Sequence, residues 1–245
     1  MAALPRLDPG GAAAVPPVRG AVLVLHGGRP DGHQSGGGFL LSHVRMVPFG
    51  QALARAGARR GVDVTLLRYR YRGWNAPDLD PVVDARWALD ELRRRHGDDV
   101  PVVLVGHSMG GRAALRVGDD RSVVGIAALA PWLERDDPWR HLTGKTLLVA
   151  HGDRERMTDP ARSLEFARRV ATVSDHVARF DVVGDGHAML KRAGEWHDLV
   201  TRFALACLGL EPFDDDVANA MTANAGSRPG GLSVPLAGRQ ESPRA

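Results

Sequence analysis

Val100-Pro101-Val102-Val103-Leu104-Val105 runs directly into Gly106-His107-Ser108-Met109-Gly110-Gly111, and the fold turns on how this stretch is read. An apolar run without polar alternation suits a strand buried on both faces of a parallel sheet. The segment Ser108 to Val117 that follows reads as a helix. The G-x-S-x-G pattern therefore falls at a sharp strand-to-helix turn, the setting in which it forms a nucleophile elbow. Gly106 and Gly110 let strand and helix approach without Cβ clashes. Ser108 is raised above the sheet at a helix N-terminus. The Met109 N–H then points at the oxyanion that would form if Ser108 attacked a carbonyl.

Working outward, the same alternation of apolar runs and helical periods fills the chain from residue 20 to 210. Strands are expected at Ala21–Leu25, Val62–Tyr69, Val123–Leu129, Thr146–Ala150 and Val177–Val183. Met46, Phe49, Leu53 and Ala56 recur at helical spacing, as do Val82, Ala85, Leu89 and Leu92 in a segment beginning near Pro81. Asp159 to Ala171 and Lys191 to Leu208 complete the helices, with Asp159 before Pro160 as an N-cap. Strands alternating with helices predict a wound α/β sheet that binds ligands at the carboxyl ends of its strands.

Composition agrees with one globular domain. The chain has 245 residues, 44% hydrophobic and 25% charged, which excludes collagen-like, disulfide-scaffold and wholly disordered classes. Residues 1–19 and 211–245 lack periodic segments and are expected to be disordered tails flanking a domain at 20–210. The net charge is +3 and the pI near 9.6. Only Lys145 and Lys191 are lysine and acids are interspersed, so the basic balance is read as arginine-rich surface, with no nucleic acid as partner. The run Arg93-Arg94-Arg95 reads as a solvated helix end. The single cysteine, Cys207, reads as a small buried hydrophobe. No apolar run reaches the ~18 residues of a spanning helix, and no secretory signal is visible, so the expectation is no membrane partner and a cytoplasmic location.

A serine hydroxyl needs a base to take its proton, and an acid to orient that base. His187, in Gly184-Asp185-Gly186-His187-Ala188, sits directly after the last long strand and suits the base. Of the other histidines, His107 lies inside the elbow and would face inward, and His26 and His151 each precede a glycine at a strand end. The acid loop is His151-Gly152-Asp153-Arg154-Glu155-Arg156-Met157-Thr158-Asp159-Pro160. With Asp159 capping a helix, the residues leave Asp153 and Glu155 as candidates.

The order of these features, from His26-Gly27-Gly28 through the elbow and the His151-Gly152 turn to Gly186-His187, resembles the α/β-hydrolase superfamily over nearly all of residues 20–210. Within it, the chain looks like the small, capless dienelactone-hydrolase-like branch. That branch tends to use cysteine, and Ser108 makes this chain more similar to the serine esterases. The resemblance implies an α/β-hydrolase fold without a separate lid domain, since Leu129 to Gly144 is too short to hold one. It assigns the acid to Glu155, with Asp153 as the alternative, although the family usually has Asp at that place. It assigns the oxyanion donors to the N–H groups of Gly28 and Met109. The family's two N-terminal strands have no evident counterpart in residues 1–19.

Trp74, Trp132 and Trp139 lie in strand-end loops, and Trp74 and Trp132 are candidates for walls of a substrate pocket. The Gly32–Gly38 loop is a candidate flap; it lacks a phosphate-cradling signature. The expected activity is hydrolysis of a small-molecule carboxylic ester or thioester through an acyl-enzyme, with no cofactor and no metal. Alternatives are acyl transfer, thioesterase or peptidase action by the same residues, or a non-catalytic binding protein on the same fold. Oligomeric state is left open.

Overall fold

The computed structural model describes residues 4–36, 40–225 and 232–236. Its centre is an eight-stranded sheet: β1 (Arg6–Pro9), β2 (Gly20–Leu25), β3 (Val62–Arg68), β4 (Val102–His107), β5 (Val123–Leu129), β6 (Thr146–Gly152), β7 (Val177–Val182) and β8 (Val234–Leu236). They lie in the order β1-β3-β2-β4-β5-β6-β7-β8. Only β1 runs antiparallel to its neighbour among these pairs, with Leu7 opposite Leu67. Six helices connect or follow the strands: α1 (Leu41–Gly57), α2 (Asp80–His96), α3 (Met109–Arg116), α4 (Pro160–Val170), α5 (Ala193–Cys207) and α6 (Asp215–Ala225).

The side-chain period of the strands explains the layers. Leu23, Leu25 and Leu104 point to one face and meet Leu89 of α2, Ala113 of α3 and Phe166 of α4. Val22, Val24, Val103 and Val105 point to the other and meet Phe49 of α1, Trp196 and Phe203 of α5 and Val217 of α6. Both faces are covered, so the central strands β2 and β4 are buried throughout. Each such Val or Leu contributes on the order of 1.5–3 kcal/mol by leaving water. The chain steps from β2 outward to β3 and then returns across β2 to β4. The crevice between the ends of β2 and β4 is thus the point where winding reverses, where open α/β sheets place their ligands.

Two expectations need correction. Residues 1–19 are not a featureless tail: Arg6–Pro9 forms an edge strand, a counterpart to one of the N-terminal strands that seemed missing. It is held by the ladder to β3, by Asp8, which accepts from Arg68 Nε at 3.0 Å, and by the partly buried Leu7 packed against the core. Residues 211–245 likewise contain α6 and β8, anchored by a few buried side chains, Val217, Met221, Leu232 and Leu236. Such short pieces carry no periodicity of their own and gain order from the sheet edge and helix layer already present. The parts of those tails at 1–3, 226–231 and 237–245 lie outside the described residues.

Several smaller expectations meet the structure directly. The segment between β5 and β6 holds one 3-10 turn, Arg140–Leu142, and no inserted domain. Asp159 caps α4 by accepting from the Ala161 N–H at 2.9 Å. Arg93, Arg94 and Arg95 close α2 and pair with Asp120, Glu91 and Glu91 respectively. Cys207 is half-buried against the core, and burial pushes its thiol pKa up, so it carries little thiolate. Among the described residues no helix is long and apolar enough to cross a membrane.

Candidate active site

Ser108 occupies the turn between β4 and α3 with φ 54° and ψ −118°, a left-handed φ that L side chains rarely adopt. Holding a non-glycine residue there costs on the order of 1–3 kcal/mol and persists only where surroundings over-determine it. They do: the Ser108 N–H donates to the Leu129 carbonyl of β5 at 3.0 Å, and its own carbonyl accepts from Trp132 at 3.1 Å and Arg112 at 3.2 Å. Glycine at 110 is a steric requirement, because a Cβ there would stand 2.4 Å from the Leu25 carbonyl oxygen. The serine is 8% exposed.

The turn after β2 lies against this elbow. A Cβ on Gly27 would be 3.3 Å from Ser108 Cβ, and one on Gly28 would be 2.3 Å from Met109 Cε. Met109 opens α3, so its N–H is a first-turn donor that no intrahelical carbonyl reaches. Among the described residues no acceptor takes the Gly28 N–H. Gly28 and Met109 are therefore brought together beside Ser108 with free donors.

The loop after β7 brings His187 to the same edge. Its Nδ1 donates to Glu155 Oε2 at 2.8 Å. The other carboxylate oxygen, Oε1, accepts from the N–H groups of Arg156 and Met157, both at 2.7 Å, and of Thr158 at 3.4 Å. Burial alone would raise this carboxyl, but the His187 hydrogen bond and the Met157 and Arg156 amides outweigh it and hold the pKa at about 2. Asp153 points elsewhere: its Oδ1 accepts from the Gly184 N–H at 2.7 Å and pins the start of the histidine loop. Of the two acids left open by the residues, Glu155 is the one that touches the imidazole.

Three residues support the site in ways the sequence did not assign to them, although His107 was expected to face inward. His107 Nε2 donates to the His187 carbonyl at 2.9 Å, and the two rings sit 4.6 Å apart. Burial, then the nearby His187 charge, lowers the His107 pKa to about 3, so it stays neutral. Asp185 is buried and accepts from the Gly186 and Arg192 N–H groups and from Trp196 Nε1 at 2.8, 3.0 and 3.0 Å, tying the histidine loop to α5. His151 is fully buried, bonded to Ser163 and Thr158, and burial lowers its pKa to about 4. The aspartate signal was present, since Asp in a Gly-Asp-Gly turn commonly bonds nearby backbone. The histidine contacts needed coordinates.

Trp74 lines none of the cavities described among these residues. It is 3% exposed, and the Arg112 guanidinium lies over its ring at 4.5 Å and over Trp132 at 4.7 Å. Arg112 Nε donates to the buried Asp137 at 3.0 Å. A cation between two aromatic faces is favourable when desolvated, so Trp74 is packing for Arg112. Trp132 is half-buried, with its indole N–H on Glu134 at 3.0 Å. The described part of the Gly32–Gly38 loop is tied down, Gly36 N–H to the Arg70 carbonyl at 2.8 Å and Gly32 N–H to Asn75 at 2.8 Å; residues 37–39 lie outside the described residues. Among the described residues no cluster of His, Cys, Asp or Glu could hold a metal ion.

A pH consequence follows from Glu155. Its folded pKa of about 2 lies below the ordinary 4.5. Its stabilisation is thus complete above about pH 5 and is lost as pH falls toward 2. Thermal melts of the wild type should decline over that window by on the order of 1–3 kcal/mol more than those of Glu155→Gln, which has no such proton to bind. Equal declines would remove the link.

A wound sheet with a strained serine at its reversal point, a half-buried His–carboxylate pair at the same edge and two free N–H donors defines a hydrolase of the α/β class. The family model described as the alpha/beta hydrolase family matches residues 22–238, and the chain belongs to that family. Solved structures agree on the fold. Esterase 2 of Thermogutta terrifontis superposes with a TM-score of 0.65 at 18% identity, covering 85% of this chain and 91% of that one. An alpha-beta serine hydrolase homologue from Coxiella burnetii gives 0.60 at 18% identity, covering 81% and 89%. Est1E from Butyrivibrio proteoclasticus gives 0.60 at 14% identity, covering 84% and 94%. Among curated proteins, none matches this sequence significantly.

Proposed function

We propose that this protein is a serine hydrolase that cleaves carboxylic esters or thioesters through an acyl-enzyme, with the cytoplasm as its working location. The observation that carries the reading is the His187–Glu155 hydrogen bond at the edge of the sheet where a strained Ser108 opens α3. In it Ser108 Oγ attacks the carbonyl carbon while its proton passes to His187 Nε2. The carbonyl oxygen becomes an oxyanion, held by the N–H groups of Gly28 and Met109. The bond to the leaving oxygen or sulfur breaks as His187 returns the proton to it. Water then repeats the sequence on the acyl-serine and releases the acid. Glu155 keeps the Nδ1 proton in place, so Nε2 is the nitrogen free to accept. Every step is proton or acyl transfer among these groups, so the scheme calls on no cofactor.

Two structural relatives support the ester class. The Thermogutta terrifontis Est2 is described with butyrate bound, and Est1E with ferulic acid bound. The test is labelling by a fluorophosphonate probe, which captures activated serines. Wild type should label at Ser108, and Ser108→Ala should not. An unlabelled wild type, or equal labelling of both, would end the proposal in favour of a binding protein on this fold.

A further inference from the structure

Three of the protein's exposed large hydrophobic residues gather in one place: Leu41 is 72% exposed, Val44 41% and Leu190 70%. They line a groove of about 330 Å³. One wall is α1, through Leu41, Val44 and Phe49; the other is the loop that leaves His187, through Ala188, Met189 and Leu190. His197 stands at its base with its ring edge-on to Phe49 at 4.4 Å, and Arg45 lies along the α1 wall. An apolar concavity left open to water in this way marks a surface that something apolar covers.

Its position says what covers it. Met189 has a φ of 54° and is buried, and its N–H bonds the Gly186 carbonyl at 2.9 Å. This tight turn carries His187 to one side and sends Ala188 and Leu190 to the groove. Leu41 also borders the adjoining recess of about 300 Å³ formed by His26, Gly27, Gly28 and Arg72. Through Leu41 the groove adjoins the Gly27-Gly28 turn that packs against Ser108. A leaving oxygen must stand at His187 to receive its proton, so the group attached to it projects on the His187 side.

We infer that this groove binds the apolar chain of the leaving alcohol, making the protein an esterase selective for esters of hydrophobic alcohols. This rests on the serine hydrolase reading above. A volume of about 330 Å³ corresponds to roughly ten groups of water size at about 30 Å³ each, enough for a medium-length alkyl or an aryl alcohol.

The experiment measures kcat/KM for ethyl, butyl and hexyl acetate, which share one acyl group, in wild type, Val44→Asp and the double variant Val44→Asp/Leu190→Asp. Both positions are exposed, so the substitutions leave the core packing intact, and melting curves verify the fold. A buried methylene is worth about fourfold, so the four extra methylenes of hexyl over ethyl should raise the wild-type ratio to about 250 if all are buried, and to more than about ten if half of them are. It should fall to within about threefold of unity in the double variant, because a charge in the groove opposes apolar burial. Val83→Asp, equally exposed on α2 across the sheet, should keep the wild-type ratio. A flat wild-type series, or a ratio that survives in a folded double variant, overturns the inference. So does a double variant that changes the dependence on acyl length in p-nitrophenyl esters rather than on alcohol length. Fluorophosphonate labelling is run alongside: labelled Ser108 with a flat alcohol series sinks the groove alone, whereas an unlabelled protein sinks the hydrolase reading itself.

Discussion

Ser108→Ala should lower kcat on a short-chain acetate ester by about 10⁶-fold, leaving a small residual rate from the oxyanion donors and substrate binding. The expectation has a structural basis. Alanine keeps the backbone hydrogen bonds of Ser108 to Leu129, Trp132 and Arg112, so the strained turn is retained and only the nucleophile is lost. KM should change little, since the hydroxyl contributes to bond formation rather than to holding the substrate. Circular dichroism and a thermal melt would check that the fold persists, and purification from a host lacking the wild-type gene would exclude carry-over. A folded variant that kept more than about one part in a hundred of the wild-type rate, far above the residue left in such triads, would mean that another group performs the attack.

Glu155→Gln should cost about 10⁴-fold in kcat, the scale seen when the orienting acid of such a site becomes an amide. The environment of Glu155 dictates how the amide would lie. Three backbone N–H groups converge on Oε1, those of Arg156, Met157 and Thr158. A glutamine must place its carbonyl oxygen there and turn its NH2 toward His187 Nδ1. That nitrogen must then accept, which moves the imidazole proton to Nε2, where the serine proton has to go. Asp153→Asn, by contrast, keeps an oxygen for the Gly184 N–H and should cost less than about tenfold, as expected for a group that does not touch the base. The pair of measurements separates the acids: a larger loss from Asp153→Asn than from Glu155→Gln would reverse the assignment. Both should be read at neutral pH, where Glu155, held at about 2, is ionised.

The strands were readable because each central one is apolar on both faces. Val123–Leu129 is bounded by the structure as the sequence predicts, and the others differ by one or two residues at their ends. The edge strands β1 and β8 were not readable. Arg6-Leu7-Asp8-Pro9 and Val234-Pro235-Leu236 are too short to show a period, and they are ordered by pairing with β3 and β7. Trp74 shows the same division inside the site. Its loop position suggested a pocket wall, but its contact with Arg112 joins residues far apart in the chain, and no spacing rule reaches that far.

Local chemistry therefore carried the fold class, the order of the elements and the elbow at Ser108, because a buried strand, a glycine turn and a helix start are all written in neighbouring residues. The same local reading singled out His187, in the loop after a strand, as the candidate base, and left two acids two residues apart as its candidate partners. Which of Asp153 and Glu155 touches the imidazole, the contact of His107 with the His187 carbonyl, and the apolar groove between α1 and the histidine loop were decided by the tertiary structure. Each depends on which way a side chain points once distant segments are packed, and that direction is set by the shared core, not by the segment that carries the side chain.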